Sequence, residues 1–242
     1  MRLWGITDPG TVRPQNQDAY HFETDEKAGT FAIVCDGMGG AKAGNIASGL
    51  AVSTFTDALR RETRDGVSED PEQVLLGAIS EANRAVCYRA SIDEQCSGMG
   101  TTLVVAWALE SAVLLANVGD SRAYAISESG IEKVSRDHSL VEDLVRKGEI
   151  TPEQARKHPQ KNLITRALGA EENVEPDFYR IDRKEGTLLL LCSDGLSNMV
   201  TDQELLYEIA HGGPPEACCQ RLLNIALTRG APDNVTAVLM EL

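Results

Sequence analysis

The stretch Phe31-Ala-Ile-Val-Cys-Asp-Gly-Met-Gly-Gly40 joins an apolar run to an aspartate and a group of glycines. Its first five residues are apolar and favour β-structure, which predicts a buried strand. Asp36 comes directly after this strand and is followed by Gly37. An Asp-Gly pair after a strand is most often a plain hairpin turn, so this pair alone does not indicate a site. Its meaning depends on where the other aspartates lie.

Four further aspartates also lie at the edge of a predicted strand or next to an arginine-bearing loop. They are Asp18, Asp120, Asp194 and Asp233. Antiparallel sheets can bring such positions to one rim, where close carboxylates repel each other and have to be neutralised or to bind cations. A set of oxygen ligands without His or Cys selects Mg²⁺ or Mn²⁺ over zinc. The carbonyl of Gly37 can add a further oxygen ligand.

Apolar runs that favour strands recur along the chain, with amphipathic helices between them. The runs cover residues 31–35, 102–107, 113–116, 187–192 and 235–240, and helical spacing recurs over 46–59, 74–86, 201–209 and 222–227. The helices are clustered rather than evenly alternated with strands, which predicts antiparallel sheets covered by helices in one α+β domain, 1–242. Residues 137–169 are a polar, helical excursion that adds little to the core, and such excursions often carry function.

Composition and charge limit the classes of partner. The chain is 42% hydrophobic and 25% charged, which is typical of a globular protein. A net charge of −14 disfavours nucleic acid and anionic membranes, although an acidic surface also serves solubility alone. No apolar run approaches the roughly 20 residues of a membrane helix, and we expect no secretory signal in the first residues because they lack an apolar core segment. The six cysteines show no C-x-x-C spacing, so we expect reduced thiols and a cytoplasmic location.

Seven short motifs extend this pattern over the chain from about Thr7 to Thr236. They are Arg13-x-x-Asn16-Gln17-Asp18, Val34-Cys-Asp36-Gly-Met-Gly-Gly40, Gly100-Thr-Thr102, Asn117-Val-Gly-Asp120-Ser-Arg122, Asp137-His138, Cys192-Ser-Asp194-Gly-Leu196 and Asp233-Asn-Val-Thr236. In this order they resemble the metal-dependent serine/threonine protein phosphatases (PPM, type 2C), and most closely the compact bacterial members. Each motif is weak alone, whereas the ordered set is highly specific.

The resemblance implies two packed antiparallel β-sheets flanked by helices, with a two-metal centre of Mn²⁺ or Mg²⁺ at one end of the sandwich. Asp36 would bridge both cations and Gly37 would offer its carbonyl to one of them. Asp194 and Asp233 would hold the other cation. The implied reaction is direct attack on phosphorus by a water that the two cations activate, which releases inorganic phosphate without a covalent enzyme intermediate.

The same resemblance implies roles for three more residues and for the excursion. Asp120, together with Asp194, would form a weaker third cation site, Asp18 would act mainly through a cation-bound water, and Arg13 would hold the substrate phosphate. Arginine suits phosphate because its planar guanidinium donates two hydrogen bonds at once, although a loop arginine is commonly just a solvated charge. Residues 137–169 match the mobile flap of the family. The catalytic assignment therefore falls on Arg13 and Asp36.

The chain departs from the family at two positions in this region. Ala41 stands where bacterial members commonly have a histidine, and Asn45 stands where glutamate is common. The histidine is thought to protonate the departing alcohol or to order water, a step usually worth about 10²–10⁴-fold. The sequence does not rank the candidate substitutes, which are His21, Lys42, His138, His158 and a cation-bound water. For His138 the simpler expectation is that it orders its own loop.

Three functions compete at this stage. The favoured one is hydrolysis of phosphoserine and phosphothreonine in proteins. A phosphoprotein-binding pseudophosphatase without turnover is supported by Ala41 alone, and a hydrolase of small phosphate esters or phosphodiesters fits the ligand chemistry but not the flap. The expected partners are phosphorylated proteins, among them a serine/threonine kinase and its substrates. A monomer is expected because no large apolar face is left unassigned.

Overall fold

The computed structural model describes residues 1–25 and 27–242, and it describes residues 40–42 through their helical backbone alone. The strands are β1 Leu3–Asp8, β2 Asp18–Asp25, β3 Gly29–Met38, β4 Gly100–Thr101, β5 Leu103–Ala108, β6 Ala112–Val118, β7 Arg122–Ser127, β8 Gly130–Lys133, β9 Asp177–Asp182, β10 Leu188–Cys192 and β11 Val235–Glu241. The helices are α1 Gly40–Glu62, α2 Pro71–Ile92, α3 Leu140–Arg146, α4 Pro152–Arg156, α5 Asp194–Ser197, α6 Asp202–Ala210 and α7 Cys218–Thr228.

The strands form two antiparallel sheets. One sheet has five strands in the order β1-β11-β10-β7-β8. The other has six strands, with the order β2-β3-β5-β6-β9 and β4 paired to β3. Each pairing is antiparallel, as expected for strands that are joined by hairpins and by helical excursions.

Alternation along β3 shows how the sheets pack. Phe31 and Ile33 are buried against helices, whereas Ala32 and Val34 are buried against the other sheet. Successive strand residues point to opposite faces, so an apolar run without alternation is covered on both sides. The uninterrupted run that ends at Cys35 has this composition because both faces of β3 are buried.

Helices cover the outer face of each sheet. The long helices α1 and α2 pack on the six-stranded sheet, and α5, α6 and α7 pack on the five-stranded sheet. A third apolar cluster fills the space between the sheets. The layers therefore run helix, sheet, sheet, helix, and the prediction of an α+β sandwich of two antiparallel sheets flanked by helices is confirmed.

Local signals place the helix starts and the polar excursion as expected. Thr201 and Glu204 form the predicted capping box at the start of α6, and Thr151 and Gln154 form another at the start of α4. Helices α3 and α4 bury no residue, so the excursion adds little to the core. Its two ends are joined by an antiparallel bridge, Ser139 with Ile164. We refer to residues 137–169 as the flap.

Several strands lie outside the five apolar runs that the sequence analysis identified. These are β1, β2, β4, β7, β8 and β9, of which β1, β2, β8 and β9 form the sheet edges. Their outer faces are partly exposed and carry polar residues, which weakens the apolar signal. All six cysteines are unpaired, and five of them are buried. Within the described residues, no helix combines the length and the apolar character that crossing a membrane requires.

Candidate active site

The alternation that packs the sheets also carries Asp36 to the space between them. Ala32 and Val34 face the other sheet, and Asp36 continues the same side of β3 at the end of the sandwich. Thr102 fixes this strand end, because its hydroxyl accepts the Asp36 backbone N–H at 2.9 Å and its own N–H donates to the Asp36 carbonyl at 2.9 Å. The carboxylate therefore projects from a strand that is held on both sides.

Asp18 lies directly opposite Asp36 on the neighbouring strand β2. One oxygen, Oδ2, accepts hydrogen bonds from Ser193 Oγ at 2.7 Å and Thr236 Oγ1 at 2.6 Å, both from the other sheet. Asp18 Oδ1 is buried and accepts no hydrogen bond from the described part of the chain. A buried, unsatisfied carboxylate oxygen is costly unless a cation or a proton compensates it.

Asp194 and Asp233 are brought together by two loops in tight contact. A Cβ atom at Gly195 would overlap the Asn234 carbonyl oxygen, so the glycine allows the start of α5 to approach the loop before β11. Asp194 opens α5 and accepts a hydrogen bond from Asn198 Nδ2 at 3.0 Å. The Asp-Gly pair here is thus a close-packing device and not a hairpin turn.

Asp120 is positioned by His138. The preceding Gly119, with φ of 105°, donates its N–H to His138 Nδ1 at 3.1 Å and accepts the His138 N–H at 2.9 Å. Because Nδ1 accepts, the neutral ring carries its proton on Nε2, and both Asp177 Oδ2 and Arg166 Nη1 lie 3.2 Å from that nitrogen. His138 is buried, so it orders the loop around it, as the sequence suggested.

One pocket of about 530 Å³ collects the predicted site residues. Its lining includes Arg13, Asp36, Gly37, Asp120, Asp194 and Asp233. Asn162 and Ile164 of the flap close one side. Buried Asp18 lies behind this lining, within electrostatic range of Asp36, Asp194 and Asp233. The structure therefore brings all seven predicted residues to one end of the sandwich.

Arg13 is tied to this pocket by Asp233. Its Nη2 donates to Asp233 Oδ2 at 2.8 Å, while about half of the side chain stays exposed. Asn234 holds the N-terminal loop in place, because its Nδ2 donates to the carbonyls of Pro9 and Gln15 at 2.9 and 3.0 Å. The guanidinium thus lies at the mouth of the pocket with donors that remain open to a ligand.

Gly37 is required by packing as well as by its place in the lining. A Cβ atom there would overlap the carbonyl oxygen of Gly44 in α1 and lie 2.6 Å from the Gln17 carbonyl oxygen. The Gly37 N–H donates to that same Gln17 carbonyl at 3.0 Å. A side chain at this position would separate β3 from α1 and displace Asp36.

Sequence reasoning assigned no role to Ser193, Thr236 or Asn234. Each was quoted within a motif, next to an aspartate that received the assignment. Their contacts depend on which strands are neighbours and on the meeting of the two sheets, and one sequence does not reveal either. Period-two alternation was the available signal, since it places Thr236 on the same side of β11 as Val238 of the inter-sheet core.

Burial and mutual repulsion raise the pKa of four of these carboxyl groups. Burial is the main cause in each case. The pKa of Asp18 rises to about 7, with Asp194 and Asp233 adding repulsion, and that of Asp120 rises to about 7, with Asp194 adding most of the repulsion. The pKa of Asp36 is raised well above its ordinary value. Such a group of carboxyls favours any partner that brings positive charge.

The candidate ligand atoms around the pocket are of the kind that divalent cations prefer. They are carboxylate oxygens and a backbone carbonyl oxygen, they include the unsatisfied Asp18 Oδ1, and the carboxylates repel one another electrostatically. Within residues 1–25 and 27–242, no three acidic, imidazole or thiol groups already converge closely enough to hold an ion. Asp36 and Asp194 are already close enough for a side-chain hydrogen bond between them.

None of the described histidines lines this pocket. His21 bonds to Glu23 at 2.8 Å, His158 accepts the Gln160 N–H at 3.1 Å, and His138 is engaged with Gly119. The side chains of Ala41 and Lys42 lie outside what the structure describes. A proton donor for the leaving group is thus not identified among the imidazoles.

Comparison with known proteins agrees with this geometry. Residues 13–239 match the family model "Protein phosphatase 2C". The serine/threonine phosphatase stp of Listeria innocua is 39% identical over 97% of this chain and 93% of the relative. Serine/threonine phosphatase Stp1 from Staphylococcus aureus has a crystal structure with a TM-score of 0.90 and 37% identity, covering 99% of this chain and 94% of that one.

A third comparison concerns cations. The catalytic domain of serine/threonine protein phosphatase PstP, solved in complex with two manganese ions, has a TM-score of 0.86 and 33% identity, covering 99% of this chain and 97% of that one. The chain belongs to the protein phosphatase 2C family. The sequence-based resemblance is confirmed, and with it the fold class and the class of enzyme, a serine/threonine protein phosphatase.

Proposed function

We propose that the pocket at the end of the sandwich is the active site of a metal-dependent phosphatase that releases phosphate from phosphoserine and phosphothreonine of proteins. The observation that carries the proposal is the meeting of Asp36, Asp120, Asp194 and Asp233 with Arg13 in one pocket. A pocket of this charge repels a phosphate dianion unless cations neutralise it, and the family relatives are phosphatases.

The proposed cation ligands are those that the resemblance implied. Asp36 and the Gly37 carbonyl would hold one ion, and Asp36, Asp194 and Asp233 would hold a second. Asp120 would contribute to a weaker third ion, and Asp18 would act from behind. Bound Mn²⁺ or Mg²⁺ would lower the pKa of a water and neutralise charge on phosphate oxygens. The two manganese ions in the PstP structure support this number.

The remaining steps fall to side chains of this chain. Arg13 binds the phosphate oxygens through its fork of N–H donors, and Asp233 holds it at the pocket mouth until then. Water attacks phosphorus in line, the bond from phosphorus to the Ser or Thr oxygen breaks, and that oxygen takes a proton. Ser193 and Thr236 hold Asp18 in place throughout. Electrostatic stabilisation of the phosphoryl group provides most of the rate.

The proton for the leaving oxygen is supplied by water in this proposal. Ala41 carries no acidic group, and the pocket lining has no described histidine. Phosphate esters with good leaving groups need no such proton, so aryl phosphates should be hydrolysed relatively better than phosphoserine or phosphothreonine peptides. Ala41→His should lower the ratio of aryl phosphate hydrolysis to phosphopeptide hydrolysis. An unchanged ratio would contradict the idea that the chain lacks an acid.

Hydrolysis of p-nitrophenyl phosphate with added Mn²⁺, followed by addition of a chelator, tests the proposal. Turnover that needs the cation and stops with chelator supports it. Binding of phosphopeptides without any turnover would instead favour the pseudophosphatase. Hydrolysis of small esters but of no phosphoprotein would favour the third function.

The proposal extends to the setting of the enzyme. Residues 1–242 act as one domain with residues 137–169 as its flap, and the substrates include the targets of a serine/threonine kinase and the kinase itself. Two features support a protein substrate: the pocket opens beside an exposed flap, and the relatives are named protein or serine/threonine phosphatases. A monomeric state and a cytoplasmic location remain predictions from the sequence.

A further inference from the structure

The second half of the flap is positively charged, although the chain as a whole is acidic. Residues 154–166 contain four arginines or lysines and no aspartate or glutamate, whereas the net charge of the chain is −14. A protein of that charge repels acidic peptides at long range, and phosphorylated substrates are acidic. A local group of cations beside the catalytic pocket offsets this repulsion for a segment that docks there.

Three of these four cations form no salt bridge within the described residues. Arg166 is bound to Asp177 at 2.9 Å. Arg156, Lys157 and Lys161 are exposed, and no salt bridge joins them to a carboxylate in residues 1–25 and 27–242. Arg156 interacts with Glu153, and Lys161 with Asp194, at distances longer than a salt bridge. Exposed cations outside salt bridges are available to a ligand, because no internal salt bridge has to break first.

Arg156 and Lys161 line a second pocket of about 330 Å³ between the flap and the five-stranded sheet. Two more cations line it, Arg122 and Lys133, but Asp137 already pairs with both, at 2.7 and 3.3 Å. The positive charge that this pocket can offer a ligand therefore comes from Arg156 and Lys161.

The second pocket adjoins the catalytic pocket. Asp120 and Asp194 line both of them. Successive Cα atoms of an extended peptide are about 3.8 Å apart, so a residue two to four positions from the phosphorylated one reaches an adjoining pocket. Val141 and Val145 add an apolar wall. Glu142 and Asp202 also line the pocket, and Glu142 lies 3.6 Å from Lys133, which leaves Asp202 as the acidic side chain outside these pairs and outside the catalytic pocket. Arg156 and Lys161 belong to the flap side of this pocket, so a peptide that crossed from one pocket to the other would pass beside them.

We propose that Arg156 and Lys161 bind an aspartate or glutamate side chain of the substrate protein, close in sequence to the phosphoserine or phosphothreonine. This inference rests on the proposed function, since it places the phosphorylated residue in the catalytic pocket. Acidic residues near the phosphorylation site then favour dephosphorylation, and the flap supplies sequence preference while the aspartates supply chemistry.

The test uses the full chain with Mn²⁺ and phosphothreonine peptides that differ only by Glu or Gln at positions two to four from the phosphothreonine, on either side. Wild type should prefer one Glu peptide by about 5–10-fold in kcat/KM, mainly through KM, since a charge-assisted hydrogen bond contributes that much. Arg156→Gln and Lys161→Gln should each reduce the preference to about 2-fold, and the double variant should remove it.

Lys157→Gln is the matched control. It removes the same charge from the adjacent position, but Lys157 does not line the second pocket. The preference should remain at its wild-type value in this variant. Equal loss in Lys157→Gln and Lys161→Gln would overturn the inference, because it would show a long-range effect of charge. A wild-type enzyme that does not distinguish Glu from Gln peptides would overturn it too.

A binding measurement separates this inference from the proposed function. In Asp36→Asn, fluorescence anisotropy of labelled peptides measures affinity without turnover. Tighter binding of the Glu peptide than of the Gln peptide, with the difference lost in Asp36→Asn/Lys161→Gln, supports the inference even if wild type proves inert towards every phosphate ester. Equal affinities would overturn it while leaving the proposed function untouched.

Discussion

The aspartate rim and the flap enclose the same pocket but differ in how they are held. The aspartate rim consists of Asp18, Asp36, Asp120, Asp194 and Asp233. It stands on strand ends and loops that are fixed by hydrogen bonds within the six-stranded sheet and between the two sheets. In the flap, α3 and α4 bury no residue. The rim is negative, and residues 154–166 of the flap are positive. A fixed geometry suits chemistry on phosphorus, whereas an exposed segment suits choice among peptides.

The largest difference between the two regions should appear when a rim carboxylate is neutralised. Asp36→Asn or Asp194→Asn should lower kcat by at least about 10³-fold, because the proposed cation ligands are lost together with their charge. Hydrolysis of p-nitrophenyl phosphate at saturating Mn²⁺ measures the effect. Exposed Asp65→Asn is the control and should keep wild-type turnover. A loss of less than tenfold in both rim variants would contradict the assignment.

Arg13 lies beside the aspartate rim, but its proposed role is to bind the substrate phosphate and not a cation. Arg13→Ala should lower kcat/KM by roughly 10²-fold, mainly through KM, since two hydrogen bonds to phosphate are lost. Arg13→Lys should recover only part of this loss, because a lysine offers a point charge and not a planar fork. Steady-state kinetics with a phosphothreonine peptide separates the two parameters. An unchanged KM with a reduced kcat would place Arg13 elsewhere in the mechanism.

Without bound cations, the buried carboxyl groups of the rim should make the free energy of unfolding depend on pH. The folded pKa of Asp18 is about 7, whereas an unfolded aspartate titrates near 3.9, so the folded state binds this proton more tightly. The resulting stability is complete below the unfolded pKa and is lost as pH rises through the folded pKa. In chelator, the free energy of unfolding should therefore fall between pH 5 and pH 8.

Asp18→Asn isolates this contribution because it has no proton to lose. Between pH 5 and pH 8 the free energy of unfolding should fall in both proteins, but the fall in Asp18→Asn should be smaller than in wild type by on the order of 2 kcal/mol. Urea unfolding in chelator at both pH values measures the difference, and Asp65→Asn should keep the wild-type slope. An equal fall in Asp18→Asn would show that this carboxyl is not protonated in the folded state.

His138 joins the two regions, since it holds Gly119 beside Asp120 and also contacts Asp177 next to the flap. His138→Asn keeps an acceptor at the position of Nδ1, whereas His138→Gln places its polar atoms at the position of Nε2. The Gln variant should bind the most weakly held Mn²⁺ ion, the one assigned to Asp120, about 10-fold less tightly. The Asn variant should change the affinity for that ion by less than about 3-fold. Equal losses would indicate a merely structural role.

Electron paramagnetic resonance of bound Mn²⁺ provides the affinities for this comparison. Hydrogen exchange of the Gly119 amide provides a second readout that needs no cation. That amide should stay protected in the Asn variant and should exchange faster in the Gln variant. If the Gly119 amide were equally protected in both variants, its hydrogen bond to His138 would not explain a difference in Mn²⁺ affinity at Asp120.

Sequence reasoning succeeded where a feature is local. The run before Asp36 predicted a strand that is buried on both faces, and the Thr201 capping box marked the start of α6. It also predicted that strand-end aspartates would meet at one rim. The family resemblance then supplied the role of Arg13, which the local pattern alone left as a solvated charge.

The remaining parts of the site depend on contacts between distant segments. Ser193 and Thr236 bind Asp18 across 175 and 218 positions of sequence, and no local pattern specifies which strands of the two sheets face each other. Edge strands such as β9 were missed for a related reason, because their polar outer faces conceal the apolar alternation. The cations of the flap became informative only when their lack of salt bridges among the described residues and the second pocket were known.

Anomalous diffraction at the manganese edge from crystals grown with Mn²⁺ tests the central claim most directly. We expect at least two peaks in the pocket, with Asp36 in contact with both and with Asp194 and Asp233 in contact with one. Asp36→Asn crystals should lose at least one of them. Wild-type crystals with no peak within coordination distance of these three aspartates would contradict the account.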